Sequence, residues 1–370
     1  MSIPLVDLRA QYCAIKNEID QVVAEIFEEQ RFIGGHHVTS LEQEIAAYAN
    51  VNYAVGVASG TDALLLTFRA AGIGPGDEVI TSPFTFFATA GAIVNVGAKP
   101  VFVDIDPRTF NINTDLLEQA VTPRTRAIVP VHLFGQCADM DGVWQVARKY
   151  NLMVIEDAAQ SLGAAFHGQC AGTLGDAAAV SFFPSKNLGG AGDGGMVLTN
   201  DADLAEKVRL LRNHGQDTSY KHVFVGTNSR LDALQAGVLR VKLKYLPQWT
   251  EQRRSHAAYY TQHFQHIEQI KCPVEQERTY HVYNQYTIRV PRRDDALARL
   301  RQREIGCAVY YPIPLHLQPC FRELGYRKGD FPEAEKASLE VLSIPVYPEL
   351  QRHQQDEIIE NIQQHLTDVT

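Results

Sequence analysis

A single lysine, Lys186, closes the stretch Ser181-Phe182-Phe183-Pro184-Ser185, and a glycine-rich run from Gly189 to Gly195 follows it. A lysine amine attacks carbonyls only when neutral, and burial beside aromatic rings favours the neutral form. Glycine backbone beside it lets a bulky group approach. Taken alone, the stretch reads more readily as a surface lysine ending a strand, the commoner fate of that residue type. Three earlier stretches change the balance.

Ser59-Gly60-Thr61-Asp62 follows an apolar run and opens a helix. Its glycine admits close approach, and the first free helix amides form an anion site suited to a phosphate; an ordinary N-cap is the equal alternative. Glu156-Asp157-Ala158-Ala159-Gln160 follows the apolar Met153-Val154-Ile155. A carboxylate placed there needs a partner. Asp157 could hold a protonated pyridine nitrogen and keep the ring an electron sink; a structural salt bridge or a metal are the alternatives. No histidine or cysteine cluster at ligand spacing supports a metal. Phe84-Thr85-Phe86-Phe87 offers aromatic faces, for stacking on such a ring or for core packing. Lysine, aspartate, phosphate cradle and stacking ring together are the parts a pyridoxal phosphate site requires.

Gly190-Ala191-Gly192-Asp193-Gly194-Gly195 matches the dinucleotide fingerprint letter for letter. The fingerprint must follow a strand and open a helix, whereas this run leads into the strand-like Met196-Val197-Leu198-Thr199, so the reading is rejected.

The elements that position these residues alternate. Ile15, Ile19, Val22, Val23 and Ile26 share one helix face, and Thr39 with Glu42 predicts a capping box for a second helix to about Ala47. Strands are expected at 54–58, 78–81, 100–103, 127–131, 152–155 and 196–199. Helices are expected at 63–71, 86–96, 114–121, 140–150 and 204–211. That rhythm means an α/β domain with a largely parallel sheet, whose ligands gather at the carboxyl ends of the strands. A long helical stretch from Asp232 to about Arg254 then leads into a smaller α/β lobe: strand 285–290, helices 294–303 and 354–365. The expected division is a large cofactor-binding domain, 1–245, with its N-terminal helix at the dimer or small-domain interface, and a small domain, 246–370.

The chain has 370 residues, 45% hydrophobic and 21% charged, ordinary for a globular protein. A net charge of −9 argues against a nucleic-acid surface. Six scattered cysteines read as reduced thiols. No apolar run reaches membrane-spanning length and the N-terminus shows no secretory pattern, so a cytoplasmic enzyme without membrane partners is expected.

Six segments, in order along nearly the whole chain, resemble the DegT/DnrJ sugar aminotransferases: SGTDAL at 59–64, TFFAT at 85–89, EDAAQS at 156–161, SFFPSKNLG at 181–189, NSRLDALQA at 228–236 and YYPIPLHLQPCF at 310–321. The resemblance implies fold-type-I architecture of the aspartate aminotransferase kind, pyridoxal 5'-phosphate as cofactor, and a homodimer with shared sites. It makes Lys186 the lysine that carries the cofactor and later shuttles the proton. It pairs Asp157 with the ring nitrogen, Gln160 with the ring's phenolic oxygen and Phe86 with the ring face. Gly60, Thr61 and Ser181 would hold the phosphate, joined by Asn228 of the neighbouring subunit. Arg230, His316 and Tyr310 fall where the family builds its substrate pocket, although many members carry His at the place of Tyr310. Relatives that replace the lysine with histidine are dehydratases, so Lys186 implies transamination, from L-glutamate to a nucleotide-linked keto sugar. Gly215-Gln216, NSRLD and PLHLQPCF look most like members acting at C3, such as the dTDP-3-keto-6-deoxyhexose enzymes. UDP-linked 3-keto sugar or uronate and 4-keto sugar enzymes are the alternatives. A regulatory protein that binds the cofactor without turnover is the reading from a different class.

Overall fold

A computed structural model describes residues 2–367. Seven strands form the main sheet: β1 Tyr53–Val57, β2 Glu78–Thr81, β3 Lys99–Phe102, β4 Thr125–Ile128, β5 Met153–Asp157, β6 Ala177–Ser181 and β7 Gly195–Thr199. Their order is β1-β7-β6-β5-β4-β2-β3. Neighbours from β6 through β3 pair in parallel, while β7 runs against both β1 and β6. The mostly parallel mixed sheet of an α/β fold is therefore present. Strands β1 and β5 are buried almost throughout, as strands covered on both faces must be.

The helices are α1 Leu8–Glu29, α2 His36–Ala49, α3 Gly60–Ala70, α4 Phe87–Asn95, α5 Met140–Tyr150, α6 Ala202–Leu211, α7 Ala233–Leu243, α8 Leu246–Phe264, α9 Arg293–Gln302, α10 Pro332–Glu340 and α11 Arg352–Thr367. The apolar stripe of α1 packs on α7 and α8, with Ile15, Ile19, Val22 and Ile26 meeting Ala233, Val238, Val241 and Trp249. A separate core of Tyr260, Phe264, Tyr286, Ile288, Leu342, Ile344, Ile358 and Ile362 surrounds the antiparallel pair β8 Tyr286–Arg289 and β9 Val341–Ile344. Ile3, from the N-terminus, belongs to that second core.

Three expected elements differ. Thr39 lies inside α2 rather than capping it. Gly35 is the N-cap, with no side-chain bond, and the Thr39 hydroxyl donates to the Gly35 and His36 carbonyls. Glu42 instead accepts from the Gly56 amide at 2.8 Å and from Arg212 at 2.6 Å. Residues 114–121 form two 3-10 turns, Thr114–Leu116 and Glu118–Ala120. Pro123 leaves too short a run to offset helix nucleation. The stretch from Asp232 breaks at Lys244-Tyr245, and Pro247 sits in the first turn of α8, where a missing amide costs least.

Candidate active site

The carboxyl ends of β1, β2, β5 and β6 converge on one cavity of about 560 Å³, the place where open α/β sheets bind ligands. Gly60, Thr61, Phe86, Asp157, Gln160, Ser181, Lys186 and Tyr310, all expected from sequence, line it together.

At the end of β1, Ser59 caps α3, its Oγ accepting from the Asp62 amide at 3.1 Å. The cradle here is tight. A Cβ on Gly60 would lie 2.7 Å from the Cβ of Ser181, and one on Gly195 would lie 2.3 Å from the Ser59 carbonyl. The glycine run thus serves as the wall against which the helix terminus is pressed. It leads into β7 and opens no helix.

Alternation along β5 sends Glu156 and Asp157 to opposite faces. Glu156 is fully buried, taking the amides of Gly172, Leu174 and Gly175 at 2.7 Å each and the His132 Nε2 at 2.8 Å. Asp157 turns into the cleft. The Thr89 hydroxyl donates to its Oδ2 at 2.7 Å and the Ala159 amide to its Oδ1 at 3.2 Å. These bonds fix the carboxylate while adding no cation of their own. Gln160 is oriented by the Phe134 amide, which donates to its Oε1 at 2.7 Å, and its Nε2 donates to the Tyr311 hydroxyl at 3.2 Å.

Lys186 follows β6 on a turn whose own amide donates to Phe183 O at 2.9 Å. Burial pushes its amine down to about 8, against the pull of the Asp157 charge, which works to raise it. A lysine at its ordinary pKa of 10.5 would be almost wholly protonated at neutral pH; this one has an appreciable neutral fraction.

The fold sorts the three phenylalanines. Phe84 is fully buried and Phe87 stacks on Phe321 at 5.5 Å, whereas Phe86 lines the cleft with its side chain 57% exposed. An aromatic ring left open at a cavity wall can cover a planar ligand. Tyr310 lines the same cavity, where burial raises its hydroxyl pKa.

Three expected residues lie elsewhere in this chain. His316 is buried outside the cleft, in the turn Leu315–Leu317 that is pinned by the Leu315 amide on Pro83 O at 2.7 Å. Its Nε2 meets Glu335 at 3.1 Å and its ring packs on Phe331. It is thus a core histidine of this subunit. Arg230 donates to Asn213 at 2.9 Å, and Asn228 is exposed; neither lines the cavity of its own chain. Conversely, Thr89, Tyr311 and Gln285 reach the site without having been given roles from sequence. Glu29, His36 and His37, the two histidines adjacent and the glutamate seven residues before them, meet between α1 and α2 with ligand atoms within 4.8 Å. None of them lines the cleft.

Fold and cleft together are those of an α/β aminotransferase. The model of the DegT/DnrJ/EryC1/StrS aminotransferase family matches residues 13–363, and the chain belongs to that family. It is 53% identical over 364 residues, 98% of each chain, to a "Pleiotropic regulatory protein" of Geobacillus stearothermophilus. It is 46% identical over 353 residues, 95% of each, to the UDP-N-acetyl-3-dehydro-alpha-D-glucosamine 3-aminotransferase of Acidithiobacillus ferrooxidans. Among solved structures, DesV of S. venezuelae in complex with a ketimine intermediate matches with TM-score 0.96 and 41% identity over 98% of each chain.

Proposed function

We propose that this enzyme transfers an amino group from L-glutamate to C3 of a nucleotide-linked keto sugar, with pyridoxal 5'-phosphate as cofactor. The observation that carries the reading is the meeting, in one cleft, of a lysine whose amine burial makes less basic and an aspartate whose hydrogen-bond partners are neutral. The residues present fit the cofactor: the glycine cradle at α3 suits its phosphate, the open Phe86 ring its planar face, and Asp157 its ring nitrogen. When bound, the cofactor supplies the electron sink that makes the substrate carbon acidic. The chain supplies the rest. Asp157 keeps the ring nitrogen protonated, Gln160 meets the phenolic oxygen, and Gly60, Thr61 and Ser181 hold the phosphate. Lys186 attaches the cofactor at rest and afterwards carries the proton, as base and then as acid. The two half-reactions share one site, so kinetics are ping-pong.

Lys186 is the only cation lining the cleft among the described residues. A dTDP-3-keto-6-deoxyhexose is the first acceptor, supported by dTDP-3-amino sugar transaminases 41% identical to this chain. A UDP-linked 3-keto sugar is the second, favoured by the Acidithiobacillus relative. We place the enzyme in the cytoplasm as a homodimer. All six cysteines are free, as in a reducing compartment, and among the described residues no helix is long and apolar enough to cross a membrane.

The test is the visible absorbance of the purified protein. A band that L-glutamate bleaches and one keto sugar restores establishes the reaction and its acceptor, and Lys186→Ala abolishes both changes. A cofactor-binding regulator would keep its partner interaction in that variant. No band after added pyridoxal phosphate would overturn the assignment.

A further inference from the structure

The turn that presents Lys186 is anchored from behind the cleft. Residues 184–189 fold back so closely that a Cβ on Gly189 would sit 2.2 Å from the Pro184 carbonyl oxygen. The Gly190 amide closes the turn on Phe182 O at 2.8 Å. The Gly189 carbonyl then accepts a hydrogen bond from the Lys242 Nζ at 2.8 Å, reaching across from α7.

Lys242 is 9% exposed. Burying an ammonium costs more than burying an apolar side chain of similar shape, so packing alone gives no reason for a lysine here. Its charged surroundings are sparse. Glu349, after β9, attracts it, and the same carboxylate serves the buried Arg253 of α8. Arg253 donates to the Tyr283 and Asn284 carbonyls at 3.3 and 3.5 Å. The Asn284 side chain donates in turn to Oδ1 of Asn187, the neighbour of Lys186, at 2.6 Å. Two buried cations thus grip the lysine turn, Lys242 directly at Gly189 and Arg253 through Asn284 and Asn187.

We propose that Lys242 is a positioning residue for amino transfer: its ammonium holds the Gly189 carbonyl and so fixes the turn that presents Lys186 to the cleft. This rests on Lys186 being the reactive lysine. Burial lowers Lys242 to about 8, so its ammonium fades on the alkaline side. A charged donor makes the stronger bond, and the grip weakens as it does.

The experiment compares the cofactor-loaded wild type with Lys242→Met and Lys242→Gln, by half-reaction kinetics with L-glutamate and by titrating the visible band with pH. The Met variant should lose roughly tenfold to hundredfold in kcat, the scale of a misplaced reacting group, with KM little changed. Its band should also titrate at a different pH from the wild type, a shift that loss of stability alone does not produce. The Gln variant, a neutral donor, should recover most of kcat at neutral pH and lack the wild-type decline attributable to Lys242 above about pH 8. A loaded Met variant with wild-type kcat and titration overturns the proposal. Should the Met variant not fold, a Gln variant that keeps the wild-type alkaline decline overturns it as well. A wild type that takes up no cofactor sinks the reading of Lys186 itself, and the positioning role falls with it.

Discussion

Burial and Asp157 pull the protonation of Lys186 in opposite directions, the first toward the neutral amine and the carboxylate toward the ammonium. The neutral form attacks the cofactor's aldehyde, so uptake of pyridoxal phosphate by cofactor-free protein should quicken as pH rises toward about 8 and level off above it. Asp157→Asn removes the charge that raises the lysine, and its uptake curve should shift to lower pH. Stopped-flow absorbance across pH measures both, and an unshifted curve would mean that Asp157 does not feel the amine. At this scale the sequence was informative where chemistry sits on a strand end: Gly60, Asp157, Gln160, Ser181 and Lys186 all lie within a few residues of β1, β5 or β6. Gln285 comes from a segment whose path to the cleft no local pattern encodes, and Tyr311 from one that only the family resemblance brings to the pocket. Thr89 is the exception with a signal, since a threonine one turn into a helix that starts beside the site could have been asked what it donates to. His316 shows the converse. Its neighbours in sequence resemble a pocket, but within this subunit its ring belongs to the core around Phe331.

The glycine run matters at the level of elements, because β7 presses against the N-terminus of α3. Gly195→Ala places a methyl 2.3 Å from Ser59 backbone atoms and 2.6 Å from the Gly60 amide nitrogen. Backbone must move, and such overpacking costs about 1–3 kcal/mol. The variant should lose that much in denaturant unfolding and release pyridoxal phosphate on dialysis. Retention at wild-type level would show that the cradle tolerates displacement. Most elements were legible because periodicity and burial agree, α5 and β2 to the residue. The misplaced ones share a cause. The Thr39 and Glu42 spacing is that of a capping box, yet Gly35, with a φ of 84° that favours glycine, caps α2 four residues before the sequence signal. Tertiary partners, the Gly56 amide and Arg212, then claim the carboxylate. Period alone likewise could not show that α7 and α8 are separate helices.

At the scale of the whole molecule, we expect that one chain alone does not complete the binding surface that the reaction needs. A sugar nucleotide carries two phosphates, and among the described residues the one cation lining the cleft is Lys186. Further donors are expected from a second copy of the chain. Asn228 is exposed beside a hairpin whose Tyr220 and Val225 are 94% and 87% exposed, apolar groups that a partner would cover. We expect a twofold dimer in which Asn228 of each chain completes the cofactor-phosphate site of the other, and complementation tests it. Lys186→Ala is inactive in its own cleft but carries an intact Asn228. Asn228→Asp sets a negative charge against the neighbour's phosphate but keeps Lys186. Each variant alone should be silent or nearly so. Unfolded together and refolded in equal amounts, they should recover about a quarter of wild-type activity, because half the dimers are mixed and one site in each mixed dimer has both parts intact. If Asn228 acts within its own chain, no mixed dimer contains an intact site and activity stays at the sum of the parents.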